Sequence, residues 1–409
     1  MSVQITRESE SNTSRPHDIE DEQAAYWSGI FAMTLCVFAL IASEFMPVSL
    51  LTPISADLNV SEGWVGYGIA ISGAFAVLTS LSISSLAGSM NRKTLLLLMT
   101  ALMGVSGLVV GLATNYVTYM IGRALIGIVV GGFWSMSAAV AMRLVPSTDV
   151  PKALAIFNGG NALATVVAAP LGSYLGGVIG WRGAFFCLVP LTVIALIWQW
   201  ISLPSMKPNN KVAGSSGNVF TLFKSRLVTL GMLAVGTFFM GQFVLFTYVR
   251  PFLETVTKVD VSTLSMMLLT LGVAGFIGTT LIGQFLTRGM YRTLVVIPLI
   301  MAAIGVALIG FGSSTAIVFV LLGLWGLVAT AAPVGWWSWL ARSLPDNAEA
   351  GGGLMVAVIQ LCIAAGSTIG GVLFDGSGYR VTFIASAVLL VLAATLAALT
   401  SRAHRANGA

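Results

Sequence analysis

Long apolar stretches alternate with short polar ones along almost the whole chain. A helix that crosses the hydrocarbon core of a bilayer needs about 20 mostly apolar residues. Hydropathy and the positions of Pro and Gly predict twelve such spans. They lie near residues 27–51, 62–86, 94–113, 116–141, 153–177, 184–202, 227–249, 263–287, 293–312, 315–341, 352–374 and 381–400. The pattern therefore predicts an all-α membrane protein with twelve transmembrane helices.

Polar segments divide the predicted spans into two groups of six. We expect six-helix bundles over residues 26–203 and 226–401, joined by a cytoplasmic linker, 204–225, that is rich in Lys, Asn, Gly and Ser. The tail 1–25 is polar and acidic, and its composition favours disorder. A second short tail, 402–409, follows the last span.

The two groups of spans resemble each other in sequence. Residues 142–146, MRLVP, are matched by 341–345, ARSLP, and the turn 180–182, GWR, is matched by 378–380, GYR. Parallel repeats of this kind occur in secondary transporters, which bind the substrate between the repeats near the middle of the bilayer. The duplication therefore predicts two six-helix pseudo-repeats and a transport function.

Composition and charge agree with a membrane protein and indicate its orientation. Hydrophobic residues make up 57% of the chain and charged residues 9%, against about 25% charged residues in soluble domains. Of the 20 Lys and Arg residues, four lie in predicted outer loops and Arg123 lies within a span, which leaves 15 for the inner loops and tails. Because basic residues mark the cytoplasmic side, we expect both termini in the cytoplasm. Because membrane topology explains the excess of basic residues, we expect no nucleic-acid partner.

Several function classes find no support in the sequence. The three cysteines, Cys36, Cys187 and Cys362, fall inside apolar segments without a metal-binding spacing. No GxxxxGK[ST] phosphate loop occurs, so we expect no cofactor and energy from an ion gradient. A membrane enzyme acting on lipid would need clustered His, Asp or Ser near an interface, but His17 and His404 lie in the tails. We therefore expect a transporter rather than an enzyme.

Glu44 is the only carboxylate well inside a predicted span. A charge at such a depth costs at least about 2.5 kcal/mol on insertion scales. A carboxyl group that is neutral in one state and ionised in another is what proton coupling requires. Glu44 lies about nine residues before Pro53. A hydrated position near the outer interface is therefore the alternative to a role in proton coupling.

Arg123 lies in the fourth predicted span at nearly the same depth as Glu44. Its guanidinium stays protonated, so a carboxylate or a substrate must balance the charge. We hypothesise that Arg123 stabilises ionised Glu44 in one conformation and leaves it in the other. A structural salt bridge or a cation that serves helix packing is the alternative.

Four amide side chains interrupt otherwise apolar spans: Asn158, Asn161, Gln242 and Gln360. Amides offer both donors and acceptors, which suits the binding of a polar solute. Interhelical hydrogen bonding, worth about 0.6 kcal/mol on average in membranes, explains them equally well.

Several segments resemble the major facilitator superfamily, and specifically its drug:proton antiporter branch. The segment 119–134, YMIGRALIGIVVGGFW, resembles the fourth-helix motif of this branch, and 164–177, ATVVAAPLGSYLGG, resembles its fifth-helix antiporter motif. A closer resemblance, to bacterial exporters of purine ribonucleosides, extends over nearly all spans. It includes EFMPVSLLTPISADLNVSEG at 44–63, FTYVRPF at 246–252 and PVGWWSWLARSL at 333–344.

The resemblance implies a major facilitator fold in a bacterial inner membrane and proton-driven export of inosine, guanosine and purine base analogues. It also implies that the fourth and tenth helices line the cavity and that Arg123 takes part in coupling. A purine can stack on an aromatic ring, with about 1–3 kcal/mol per base, whereas lipid contact or packing is the alternative for each aromatic residue. The predicted substrate-binding residues are Trp134, Trp336, Phe133, Asn158, Asn161, Gln242, Phe246 and Gln360.

Export of sugars or amphipathic drugs by the same scaffold is the competing function. A sugar site would be dominated by amides and carboxylates with one aromatic platform. A drug site would use Glu44 as a counter-charge for lipophilic cations. A nucleoside site would be blocked by inosine and guanosine analogues. In each case we expect a monomer in the bilayer, with the substrate and protons as its only partners.

Overall fold

The computed structural model describes residues 25–87, 90–146, 149–206, 219–344 and 348–407. Its α-helices are α1 Trp27–Ser49, α2 Leu51–Leu58, α3 Glu62–Ala87, α4 Arg92–Gly111, α5 Tyr116–Arg143, α6 Val150–Ser202, α7 Arg226–Phe246, α8 Val249–Phe252, α9 Val261–Phe311, α10 Thr315–Ala329, α11 Ala332–Ser343 and α12 Ala348–Asn407. A 3₁₀-helix, Val219–Lys224, precedes α7, and a π-helical turn, Leu253–Thr257, follows α8. Helices are expected here because a chain in lipid must satisfy its backbone polar groups internally.

Nine stretches of the described chain are long and apolar enough to cross a membrane. Three of them, in α6, α9 and α12, are helices of 53, 51 and 60 residues that contain one non-helical residue each, at Gly180, Gly289 and Gly378. Each of these residues divides its helix into two arms, so the nine stretches make twelve spans. The all-α fold with twelve transmembrane helices is confirmed.

The spans are numbered here in chain order. The first span is α1, which the short helix α2 follows, and the second, third and fourth are α3, α4 and α5. The two arms of α6 are the fifth and sixth spans, and α7 with α8 forms the seventh. The arms of α9 are the eighth and ninth, α10 with α11 is the tenth, and the arms of α12 are the eleventh and twelfth. Because the number of spans is even, both chain ends lie on one side, here called the terminus side; the opposite side is the far side.

The internal repeat predicted from sequence is visible in the backbone. Gly180 and Gly378, which occupy matching places in the two repeats, both have a φ of 76°. This left-handed conformation is accessible to glycine without steric cost. The same local device therefore separates the fifth from the sixth span and the eleventh from the twelfth.

Each half of the chain has its own apolar core. The N-terminal core includes Phe133, and the C-terminal core includes Trp325 and Trp339. In the N-terminal half, a Cβ on Gly127 or Gly131 would collide with backbone of the second span. Small residues allow such close helix packing in membranes. The cores also meet between the halves, because Val48 and Ile69 belong to the C-terminal cluster and Tyr248 belongs to an N-terminal one. The surface between the halves is where a transport site is expected.

The predicted tails and linker lie largely outside the described residues. Only residue 25 of the predicted tail 1–25 is described, and residues 207–218 of the linker are not. At the other end, α12 remains helical to Asn407, beyond the predicted start of the tail at 402. The domain boundaries therefore stay predictions.

Candidate transport site

Glu44 lies in the far-side part of α1, between the two halves. It is about 25 Å of helix rise from Trp27 and about 8 Å from Ser49, after which the separate short helix α2 begins. The residue is 5% exposed. Its Oε1 atom accepts a 3.2 Å hydrogen bond from Nε2 of Gln360 in the eleventh span. The carboxylate therefore contacts the opposite half in the interior of the protein.

The guanidinium of Arg123 binds the backbone next to Glu44. Arg123 is 1% exposed, and its Nη1 and Nη2 donate to the carbonyl oxygens of Ser43 and Glu44 at 2.8 and 2.9 Å. Its Nε donates to the carbonyl of Gly68 in the second span at 3.1 Å. Among the described residues no ion pair joins Arg123 to the Glu44 carboxylate. In this conformation Arg123 binds the backbone of the first span, and Gln360, rather than Arg123, binds the Glu44 carboxylate.

Pro47 explains why a carbonyl of the first span is available to Arg123. Proline has no backbone N–H and so removes the helical hydrogen bond to the carbonyl four residues earlier. For Pro47, which lies inside α1, that carbonyl belongs to Ser43. Arg123 supplies the missing donor from the fourth span. Arg123 therefore replaces the hydrogen bond that Pro47 removes. The Ser43 carbonyl in turn provides an acceptor for the buried guanidinium of Arg123.

Aromatic rings from both halves meet beside Glu44. The ring centroids of Phe45, in the first span, and Phe243, in the seventh, are 5.8 Å apart. Phe243 in turn contacts Phe246 edge-on at 5.9 Å. Phe45 is half-buried and packs against the apolar cores of both halves. Sequence reasoning missed Phe45, for which the only signal was its position next to Glu44.

The other predicted aromatic residues lie away from this meeting point. Phe133 is fully buried in the N-terminal core. Trp134 is half-buried and contacts Phe157 of the fifth span edge-on at 6.1 Å. Trp336 is 2% exposed in the C-terminal core and contacts Trp339 edge-on at 5.9 Å. The structure therefore brings Phe246, and none of these three, to the rings beside Glu44.

The four predicted amides differ in their surroundings. Gln360 donates to Glu44. The side-chain oxygen of Gln242 is buried without a hydrogen-bond partner among the described residues. Asn158 is exposed and donates to the carbonyl of Leu154 in its own helix at 2.9 Å. Asn161 is half-buried. Of the four, only Gln360 is seen to join the halves.

Asp375 joins the two halves at the far-side end of the eleventh span. Its carboxylate accepts hydrogen bonds from the hydroxyl of Ser61 and from the backbone N–H of Gly63, at 3.1 Å for the latter. Both groups lie at the start of the second span, where helical N–H groups lack partners within the helix. A carboxylate is favoured there by hydrogen bonding and by the helix dipole. Asp375 thus caps a helix of the opposite half.

Two further contacts close the far side. The hydroxyl of Ser367 donates to the carbonyl of Gly66 at 3.0 Å, across the second and eleventh spans. On the other flank, Arg250 of the seventh span donates to the carbonyl of Ser49 and, at 3.4 Å, to the hydroxyl of Ser173. With the two partners of Asp375, five residues of the N-terminal half therefore form far-side hydrogen bonds with the C-terminal half.

The terminus side of the same interface is different. Apart from Ser82 and Arg143, the described residues form hydrogen bonds between the halves only at Glu44 and Gln360 or on the far side of that pair. Towards the terminus side, Leu81 of the second span is 54% exposed and Asn158 of the fifth span is exposed. A Cβ on Gly159 or Gly353 would meet nothing within 4 Å. The structure is closed on the far side and open on the terminus side.

A comparison with protein families agrees with this architecture, because the sequence pattern of the Major Facilitator Superfamily matches residues 33–367. The chain belongs to the major facilitator superfamily. Within it, the transcription regulatory protein OpdE of Pseudomonas aeruginosa is 64% identical over 95% of this chain and 97% of its own length. The purine ribonucleoside efflux pump NepI of Salmonella enteritidis is 40% identical over 91% of this chain and 93% of its own length.

Solved structures of major facilitator proteins share the fold. The nucleoside transporter NupG superimposes with a TM-score of 0.76 at 11% identity, over 91% of this chain and 98% of its own. A bacterial homologue of the human lysosomal transporter Spinster, in an inward-facing and unoccupied conformation, gives 0.74 at 16% identity, over 92% and 97%. At 11% and 16% identity, these likenesses show that the chain shares their fold.

Proposed function

We propose that this major facilitator protein is a proton-coupled antiporter that exports purine ribonucleosides across a bacterial inner membrane, with Glu44 as the group that binds the coupling proton. The observation that carries the proposal is the buried Glu44 carboxylate at the interface of the halves, hydrogen-bonded to a neutral amide of the opposite half. An intramembrane ionisable residue that faces the interior of a bundle is a functional-site candidate by default.

The Glu44–Gln360 pair can accommodate both protonation states of the carboxyl group. An ionised carboxylate only accepts hydrogen bonds, whereas a protonated one also donates. A glutamine amide offers both a donor and an acceptor, so Gln360 can donate to the ionised form and accept from the protonated form. An arginine at position 360 would favour the ionised form alone. The neutral partner therefore supports a role in which Glu44 gains and loses a proton.

The geometry of Arg123 is consistent with that role. Its three hydrogen bonds to described residues go to backbone carbonyls of the first and second spans. The fixed charge lies close to Glu44 without pairing with its carboxylate. A carboxylate bound directly by a guanidinium would be held in the ionised form. Arg123 thus provides a positive charge near the site and leaves Glu44 able to titrate.

The proposed substrate class rests on the relatives and on the rings beside Glu44. Relatives named as purine ribonucleoside efflux pumps are 40% identical over most of this chain. Phe45 and Phe243 bring one aromatic ring from each half to the level of Glu44, and a flat purine can stack on such rings. The buried oxygen of Gln242, one residue before Phe243, offers an acceptor for a purine or ribose donor. With the termini in the cytoplasm, the terminus-side opening would admit the nucleoside from the cytoplasm.

Uptake of labelled inosine into inside-out membrane vesicles tests the proposal. The vesicles contain the protein and are energised to an acidic lumen, and the assay is run with and without a protonophore. We expect concentrative uptake that the protonophore abolishes and that Glu44→Gln lowers at least about tenfold. Asp57→Asn is the matched control, because Asp57 is an exposed carboxylate of the same half that pairs with Arg182 at 2.7 Å. Uptake no higher than in empty vesicles would reject inosine as a substrate.

Competition in the same assay separates nucleosides from the alternative substrates. Guanosine and inosine analogues should reduce the uptake, whereas xylose and tetraphenylphosphonium should not. Inhibition by tetraphenylphosphonium alone would favour drug export over nucleoside export. Inhibition by sugars alone would favour sugar export.

The name of the relative from Pseudomonas aeruginosa raises a second candidate function, an effect on transcription. Most described residues of this chain lie in membrane-spanning helices. An effect of this chain on transcription would therefore be indirect, through the cytoplasmic concentration of a solute that a separate regulator binds. Comparing transcript levels in cells that express the wild type and Glu44→Gln tests this idea. Equal transcript changes with both proteins, when only the wild type transports, would contradict an indirect effect.

A further inference from the structure

The ninth and twelfth spans form a groove on the outside of the C-terminal half. These two antiparallel spans flank a shallow, open apolar depression of about 700 Å³. Its floor contains Ala302 and Ala387, which are 5% and 7% exposed. Its walls are larger side chains that stand out from the surface, among them Leu299, Val306 and Val388. Small residues between branched ones leave an apolar channel along the groove.

A basic pocket lies in the same groove, towards the terminus side. This second cavity, of about 310 Å³, is lined by Arg292 of the ninth span and by Arg402 and Arg405 of the twelfth. All three arginines are exposed. Among the described residues none of them forms an ion pair. The pocket therefore presents three positive charges that no described carboxylate balances.

The two cavities lie on one continuous face of each span. On the ninth span, lining positions recur every three or four residues from Arg292 through Val295 and Leu299 to Val306, which is the spacing of one helix face. Arg292 and Val306 are separated by about 21 Å of helix rise. One leaflet of the hydrocarbon core is roughly 15 Å thick, half of about 30 Å. The groove is thus long enough for an acyl chain that starts at the basic pocket.

We propose that this groove binds one anionic phospholipid of the surrounding bilayer. The phosphate accepts hydrogen bonds from Arg292, Arg402 and Arg405, and one acyl chain lies over Ala302 and Ala387. Basic pockets between transmembrane helices recognise anionic head groups, and guanidinium groups bind phosphate with paired hydrogen bonds. The apolar channel distinguishes a lipid from a free phosphate, because only a lipid fills both cavities. The site is on the outer surface of one half and is separate from the site at Glu44.

Native mass spectrometry of the purified chain in detergent tests this lipid site. The chain is titrated with phosphatidylglycerol and, separately, with phosphatidylcholine that has the same acyl chains. We expect one tightly retained phosphatidylglycerol and at least tenfold weaker retention of phosphatidylcholine. Each arginine near an anionic head group is worth about 1 kcal/mol, or about fivefold in affinity. The double variant Arg402→Gln/Arg405→Gln should therefore bind phosphatidylglycerol about thirtyfold more weakly.

Three further variants separate the parts of the site. Arg402→Lys/Arg405→Lys keeps the charge and should retain most of the binding. Ala387→Leu fills the floor of the channel and should weaken lipid binding while the basic pocket stays intact. Arg226→Gln is the matched control, because Arg226 is an exposed arginine at the start of the seventh span, outside the groove. It should bind phosphatidylglycerol as the wild type does.

Three outcomes would overturn the proposal. Equal retention of the two lipids would show that the arginines do not select charge. Displacement of phosphatidylglycerol by millimolar inorganic phosphate, together with unchanged binding to Ala387→Leu, would show a phosphate pocket without a lipid channel. A dimer that Ala387→Leu dissociates would show that a second copy of the chain, rather than lipid, covers the groove.

Discussion

On the far side of Glu44 the two halves are joined by hydrogen bonds, whereas on the terminus side the described residues other than Ser82 and Arg143 form none between them. The far-side bonds come from Asp375, Ser367 and Arg250. Most of their partners are backbone groups near the ends of spans, which water can satisfy when the halves separate. Closure on the far side therefore depends on a few polar contacts that water can replace. The Glu44–Gln360 pair lies at the boundary between the closed and the open region.

Substitution of Gly66 is expected to have the largest effect on the far-side contacts between the halves. A Cβ at this position would collide with the hydroxyl of Tyr248 in the opposite half. Overpacking costs about 1–3 kcal/mol, which corresponds to a shift of roughly 5- to 150-fold in a conformational equilibrium. We therefore expect Gly66→Leu to open the far side and to lower nucleoside transport at least about tenfold.

Distances between spin labels measure this opening. Labels at Ala56→Cys and Ser377→Cys, both exposed on the far side, are introduced after Cys187→Ser removes an exposed native thiol. The Gly66→Leu protein should show a longer distance than the wild type. Gly159→Leu is the matched control, since a Cβ there meets nothing within 4 Å. Equal distances in all three proteins would contradict the proposed role of Gly66.

Substitution of Phe45, which follows Glu44 in the chain, tests whether the substrate binds at the boundary between the closed and the open region. Stacking of a base on an aromatic ring is worth about 1–3 kcal/mol, and leucine retains the apolar contact but loses the stacked face. We expect Phe45→Leu to raise the KM for inosine about fivefold with little change in thermal stability. Phe133→Leu, which alters a fully buried ring of the N-terminal core, should instead lower thermal stability and leave the KM nearly unchanged. A KM effect confined to Phe133→Leu would place the substrate deeper on the terminus side.

Substitution of Asp375 is expected to have the smallest effect on far-side closure. Asp375→Asn keeps the shape of the side chain but weakens its bonds to Ser61 and Gly63. Because Asp375 is exposed, screening limits the loss to about 1 kcal/mol. The same spin-label pair should show a few-fold larger open population on the far side.

The matched control for Asp375→Asn is Asp260→Asn. Asp260 caps the eighth span within its own half by accepting from the backbone N–H of Thr263 at 3.1 Å. Hydrogen bonds from Thr263 hold the pKa of Asp260 below its usual range, so the control also removes an ionised carboxylate. It should leave the far-side distance unchanged. An equal opening in both variants would mean that general loss of helix capping, and not the contact between halves, causes the effect.

The fold was predictable because each span is a continuous apolar run in the sequence. The turn at 180–182 and its match at 378–380 also indicated the repeat, and the structure shows Gly180 and Gly378 with the same φ. The depth of Glu44 was harder to judge. Sequence reasoning ended the first span near residue 51, and α1 ends at Ser49. Glu44 is nevertheless only 5% exposed, because the opposite half packs against it and Gln360 binds its carboxylate.

The contacts of the site residues could not be read from the sequence. Helical periodicity shows which residues share a face, but it does not show which neighbouring helix that face contacts. Phe133 and Trp336 therefore resembled cavity residues, although both are buried in the core of a half. The contact between Asp375 and Ser61 depends on how two distant helix ends meet. Nothing in either local sequence predicts that meeting.

The most direct measurement of the coupling role of Glu44 compares two modes of transport in Glu44→Gln vesicles. In exchange mode, unlabelled inosine inside drives entry of labelled inosine without a proton gradient. In gradient mode, an acidic lumen alone drives uptake. If Glu44 binds the coupling proton, Glu44→Gln keeps exchange near the wild-type rate and loses gradient-driven uptake at least about tenfold. Retention of gradient-driven uptake by Glu44→Gln at the wild-type level would contradict the assignment of Glu44 as the proton carrier.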